Sequence, residues 1–179
     1  MPTKQEITAR MQELARKLNY PYRDISHLAR AMYCRKQHGH SNYTNDAMAT
    51  LGDAVLKLIW SEHFFSLGLD KDDITRKKAD LENNGTLKNL CDLIGAQNYA
   101  YNNTHFAADA PAHSRLPHRD HDFYIEAIIA AIHLDLGLEA TRAWVLDFWQ
   151  KNKDAICSIP CAKIKKRPRV RKNDERNTP

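Results

Sequence analysis

The chain has 179 residues, 42% of them hydrophobic, which is enough for one buried core and a tail. Its formal net charge is +5, its four cysteines do not form a disulfide framework in a chain this long, and no apolar run approaches the roughly 20 residues that span a bilayer. A membrane protein and a disulfide-stapled secreted domain are set aside. Met1 to Asn19 is charged and amphipathic rather than a secretory leader, so a reducing, cytoplasmic location is expected.

Six glycines and seven prolines leave long uninterrupted stretches in which apolar residues recur mostly at helical spacing, so the expected fold class is all-α. Thr3 to Leu18 reads as a surface helix with the stripe Ile7, Met11, Leu14 and Leu18. Tyr20-Pro21-Tyr22 ends it. A second helix is expected from about Asp24 through Met32, and Cys34 to Tyr43 reads as a polar loop.

The longest helix is expected from Asp46 to Leu67, capped by Thr44 or Asn45 and stopped by Gly68. Its core face is expected to carry Met48, Leu51, Val55, Leu58 and Ile59, with Asp46, Asp53 and Lys57 on the opposite side. Gly52 inside it costs about 1 kcal/mol against alanine, a cost worth keeping where a second helix or a ligand comes close. Glu62 points toward the apolar side and calls for an ion pair near the helix end or at a subunit contact.

A short helix follows over Ile74 to Leu81, and another from Gly85-Thr86 to Gly95. Asn102 to Asp120 reads as a long polar loop containing His105, His113 and His118. Asp122 to Leu136 reads as an apolar helix ended by Gly137, and the last helix runs from Leu138 to about Lys153 with Trp144, Val145 and Phe148 inward. On the Asp122 helix, Asp122 and Glu126 stand i, i+4 on a face next to Ile125, Ile128, Ile129 and Ile132. Two like charges at that spacing repel mildly, and a divalent cation would repay them. On the bland reading, Asp122 merely complements the helix dipole and Glu126 is exposed.

Two domains of unequal character follow: a helical body over residues 1–155 and a basic arm over 156–179. From Pro160 onward, Lys163, Lys165, Lys166, Arg167, Arg169, Arg171, Lys172 and Arg176 are opposed by Asp174 and Glu175. The arm is therefore +6, and the +5 total leaves −1 for the rest. Such an arm suits a polyanion, because each neutralised phosphate releases counterions. The same charge would also suit a solubilising end or a localisation tag.

Four blocks in order now narrow the reading. Asn45-Asp46-Ala47-Met48-Ala49-Thr50-Leu51-Gly52-Asp53-Ala54-Val55-Leu56 resembles the ribonuclease III signature N-E-R-L-E-F-L-G-D-A-V-L. Ser61-Glu62-His63-Phe64-Phe65 resembles S-E-Y-L-F. Leu81-Glu82-Asn83-Asn84-Gly85-Thr86-Leu87 resembles L-V-N-N-E-T-L. Glu126 through Asp135, with Gly137-Leu138-Glu139-Ala140, resembles E-A-L-I-G-A-I-Y-L-D and its continuation. The likeness spans roughly Leu18 to Phe148.

The resemblance implies an all-helical ribonuclease III endonuclease domain that forms a homodimer. It would cut each strand of double-stranded RNA by Mg²⁺-dependent hydrolysis, with Mn²⁺ as a substitute metal, leaving 5′-phosphate ends. Asp53 and Glu126 match two of the family's four metal-binding acids. The other two positions hold Ala49 and Phe123. The compact Mini-III branch of the family also has alanine at the first of these. Asp122, one residue off, and Asp46, in place of the first signature glutamate, complete the candidate catalytic set, with Asp53, Glu126 and Asp122 as metal ligands. The threonine-histidine pair expected before the signature is replaced by Met32 and Tyr33.

The residues after Phe148 are too few for the double-stranded-RNA-binding domain usual in the family. The dimer valley and the arm residues Lys163, Lys165, Lys166, Arg167, Arg169, Arg171 and Lys172 are therefore expected to bind the RNA. The alternative is a non-catalytic module of the same fold that binds RNA or joins an assembly.

Overall fold

The structure is a computed structural model that describes residues 1–35, 43–110 and 123–157. Asp122, the histidines at 113 and 118, and the arm residues Lys163, Lys165, Lys166, Arg167, Arg169, Arg171 and Lys172 lie outside these ranges. Eight α-helices follow in order among the described residues: α1 (Lys4–Lys17), α2 (Ser26–Met32), α3 (Asp46–Ser66), α4 (Lys71–Glu82), α5 (Asn84–Ile94), α6 (Phe123–Leu136), α7 (Leu138–Lys151) and α8 (Lys153–Cys157). Isolated bridges join Tyr33, Tyr101 and Phe106, and no strand forms among the described residues. The all-α expectation holds.

Helix ends are set by local chemistry. Thr3 caps α1, its hydroxyl accepting from the Glu6 amide while the Glu6 carboxylate accepts from the Thr3 amide, a reciprocal pair that fills two otherwise orphaned donors. Gly95 closes α5 at φ +64°, a left-handed conformation that side chains strain to adopt. Asn45 precedes α3 but does not cap it. It is 2% exposed, and its side-chain amide donates to the Ala31 carbonyl, tying α3 to α2. The last expected helix divides at Asn152, and helical order continues through Cys157.

Helix α6 is the hub. Ile125 and every residue from Ala127 to Ile132 have no exposed surface, which explains why this segment is apolar all round rather than striped. It packs on α2, α3, α5 and α7, and its pairing with α3 is the most extensive among the described helices. Trp144 and Trp149 of α7 donate their indole N–H to the Leu18 carbonyl at 2.7 Å and the Leu81 carbonyl at 3.1 Å, pinning the ends of α1 and α4. Trp144, Val145 and Phe148 are buried as expected.

The core face of α3 differs from the expected one. Met48, Ala49, Gly52, Val55, Leu56, Ile59, Trp60 and Phe64 are buried, while Leu58 is 43% exposed. An apolar-rich helix offers several plausible stripes, and the packing of α6 selects one rotated toward Asp53. Asp53 therefore stands at the rim of the packed face, not opposite it. Glu62 pairs with Arg142 of α7, which satisfies it as an ion pair.

Candidate metal and nuclease site

The site begins at a glycine. A Cβ placed on Gly52 would lie 1.7 Å from the carbonyl oxygen of Glu126 and 2.5 Å from its carbonyl carbon. No side chain fits there, so the missing Cβ is what lets the first turn of α6 rest directly on α3. This close crossing brings Asp53, the next residue of α3, beside the turn that carries Glu126.

Lys57, one turn after Asp53, donates to the Asp53 Oδ2 at 2.6 Å. The Asp53 side chain is 33% exposed and that of Lys57 50%, so the pair lies open on one side. The bond to Asp53, opposed by partial burial and reinforced by the fields of Asp53, Glu82 and Glu126, holds the Lys57 ammonium above its ordinary pKa. Asp53 of α3 holds the ammonium directly, and the negative fields of Glu82 at the end of α4 and Glu126 of α6 reach it as well.

Glu82 was not among the residues singled out in the sequence. One oxygen of its carboxylate, Oε2, is buried and has no hydrogen-bond partner among the described residues. The residue is held firmly. Trp149 bonds the Leu81 carbonyl, the Asn83 side chain accepts from the Thr86 amide at 2.9 Å, and the Thr86 hydroxyl donates to the Asp80 carbonyl at 2.8 Å. A signal was present: a glutamate stands where the resembled L-V-N-N-E-T-L block has valine.

The remaining candidates are placed as follows. Asp46, in the first turn of α3, accepts from the Tyr43 amide at 2.7 Å, which ties it to its own turn. Ala49 is 1% exposed, so that position presents no ligand. Phe123 opens α6, and Asp122 lies outside the described residues. Among the described residues no three His, Cys, Asp or Glu side chains lie close enough to cage a metal ion by themselves. Two carboxylates beside an open face do suit Mg²⁺, which keeps several waters and binds through one or two carboxylates plus substrate phosphate.

A family model described as the ribonuclease III domain matches residues 46–137, more than half the chain. The chain belongs to the ribonuclease III domain family. Ribonuclease 3 of Chloroflexus aurantiacus is 28% identical over 161 residues, covering 86% of this chain and 65% of that protein. Ribonuclease 3 of Campylobacter jejuni is 28% identical over 144 residues, covering 79% of this chain and 62% of that protein. The chain thus spans somewhat less than two thirds of each relative's length. A solved nuclease domain of ribonuclease III from Campylobacter jejuni superposes with a TM-score of 0.63 at 25% identity, over 79% of this chain and 97% of that one. That structure is described as showing flexibility in a region involved in dimer formation. No described helix of this chain is long and apolar enough to cross a membrane.

Proposed function

We propose that the chain is an endoribonuclease that cuts double-stranded RNA with the help of Mg²⁺, or Mn²⁺ in its place, acting as a homodimer. The observation that carries this reading is the Gly52 crossing, which sets the α3 turn bearing Asp53 against the α6 turn bearing Glu126. In this reading Asp53 and Glu126 hold the metal through carboxylate oxygens, and Asp122 adds a third acid from the residue before α6. A bound divalent cation would supply a more acidic attacking water and stabilise the departing 3′ oxygen. Gly52 fixes the spacing of the two acids, and the exposed side of Asp53 leaves room for a phosphate. A second copy of the chain brings a second site for the other strand. The RNA-binding surface includes the arm residues Lys163, Lys165, Lys166, Arg167, Arg169, Arg171 and Lys172, which would neutralise phosphates outside the cut site.

One observation favours a second reading. Ala49 is buried where the family pattern has an acid, and Phe123 stands at another such position, so a non-catalytic RNA-binding or assembly module of the same fold is the rival. Incubation with long duplex RNA and Mg²⁺ separates the two. Metal-dependent shortening of the duplex, abolished in Asp53→Asn and Glu126→Gln, is expected; an intact duplex with either metal leaves the binding reading. The role of the arm is read independently. Truncation before Lys163 should flatten the dependence of log affinity on log salt by several units, and equal slopes for the two forms would remove the arm from the interface.

A further inference from the structure

The Lys57–Asp53 pair, an i, i+4 helix bond, engages one oxygen of the carboxylate that a metal ion would use. Its Nζ sits 2.6 Å from the Asp53 Oδ2. A divalent cation and this ammonium, both drawn to the Asp53 carboxylate, repel one another at close range. The Glu82 carboxylate, whose field reaches the Lys57 ammonium, offers a second seat. The Oε2 of Glu82 is shielded from solvent and lacks a hydrogen-bond donor among the described residues, a costly state for a carboxylate oxygen. The Trp149–Leu81 and Thr86–Asp80 bonds anchor the backbone on either side of the α4–α5 junction, which limits how far Glu82 can move from a long, half-exposed lysine.

We propose that Lys57 is the resident cation of the Asp53–Glu126 site, neutralising Asp53 while no divalent ion is bound and passing to the unpartnered oxygen of Glu82 when one binds. The inference rests on the metal-binding reading given above. Lys57 and Glu82 act here as positioning residues: they set how readily the two acids accept a metal. The Lys57 charge stays within the site throughout, so an acid-rich seam is kept from splaying its helices apart in the metal-free chain. The two carboxylates are thereby held ready without a third aligned acid at residue 49.

Mn²⁺ binding to the full chain in the absence of RNA tests this, read by loss of the free-ion electron paramagnetic resonance signal at low ionic strength. Lys57→Met should bind Mn²⁺ about three- to tenfold more tightly than the parent chain, and Lys57→Arg should stay within about twofold. Glu82→Gln should weaken binding by a similar factor, and by much less when introduced into Lys57→Met, because no ammonium then needs a second seat. Unchanged or weaker binding in Lys57→Met overturns the resident-cation role. An equal effect of Glu82→Gln in both backgrounds overturns the passage to Glu82. Saturable binding by the parent chain that Asp53→Asn and Glu126→Gln both abolish keeps the metal-binding reading standing through either failure. No saturable binding by the parent chain overturns both.

Discussion

The two ends of α6 carry acids with opposite fates. Near its C-terminus, Asp135 is fully served: the Tyr20 hydroxyl donates to Oδ2 at 2.6 Å, the Arg23 amide donates to Oδ2 at 2.8 Å, and the Asp24 amide donates to Oδ1 at 2.9 Å. Burial alone would push this carboxyl up, but the three donors outweigh it and hold its pKa below the ordinary value. The same burial, with the bond to Asp135, pushes the Tyr20 hydroxyl up. At the N-terminal end, Glu126, Asp53 and Glu82 draw on the Lys57 ammonium, and one Glu82 oxygen has no donor. An acid whose donors come with the fold stabilises the fold. A buried carboxylate oxygen without a donor, beside other acids, is where a cation from outside would be most stabilising.

Exchanging the acids for their amides at the two ends sharpens this contrast most. Asp53→Asn and Glu126→Gln should each lower cleavage of duplex RNA by about 1000-fold or more, since a metal site contributes several kcal/mol to such chemistry. Their melting temperatures should stay near that of the parent chain. A variant that melts early yet cleaves normally when cooled would reverse the assignment.

Next in size is the crossing itself. Gly52→Ala drives a methyl group against the Glu126 backbone, which cannot swing aside as a side chain would, and should cost about 3 kcal/mol of stability in chemical denaturation. Surviving folded protein should also lose cleavage, because α3 and α6 must part where Asp53 and Glu126 meet. Unaltered stability would mean that the helices do not cross as closely as described.

Asp135→Asn should cost about 1–3 kcal/mol while leaving cleavage by the folded protein intact. Because the folded carboxyl titrates below its ordinary value, its contribution is complete above the usual carboxylate range and is lost as pH falls through the folded pKa. The stability gap between parent and variant should therefore be full at neutral pH and shrink below about pH 4. A gap that widens in acid would contradict that stabilising role. Smallest of all, Asp46→Asn should change cleavage by no more than about threefold, since its contact with the Tyr43 amide is a local turn bond.

Much of this was legible in the chain. The uninterrupted apolar run of α6, the stops at Gly95 and Gly137, and the signature blocks around Asp53 and Glu126 each follow from local chemistry or from short patterns. Two features were not. The buried face of α3 takes Leu56 and Trp60 in place of Leu58, because a helix this rich in apolar residues presents several possible stripes and its neighbours choose among them. Glu82 stood in a signature block only as a departure from its valine, and its meaning depends on a fold that brings its field to the Lys57 ammonium. A carboxylate at the end of a polar helix reads as solvated until the crossing is known.

Anomalous scattering from a Mn²⁺-soaked crystal would show whether Asp53 and Glu126 share a divalent cation. A shared ion gives a peak on the α3–α6 seam within about 2.0–2.3 Å of a carboxylate oxygen from each residue. Bound manganese found only elsewhere on the chain, with these two carboxylates unligated, would contradict it.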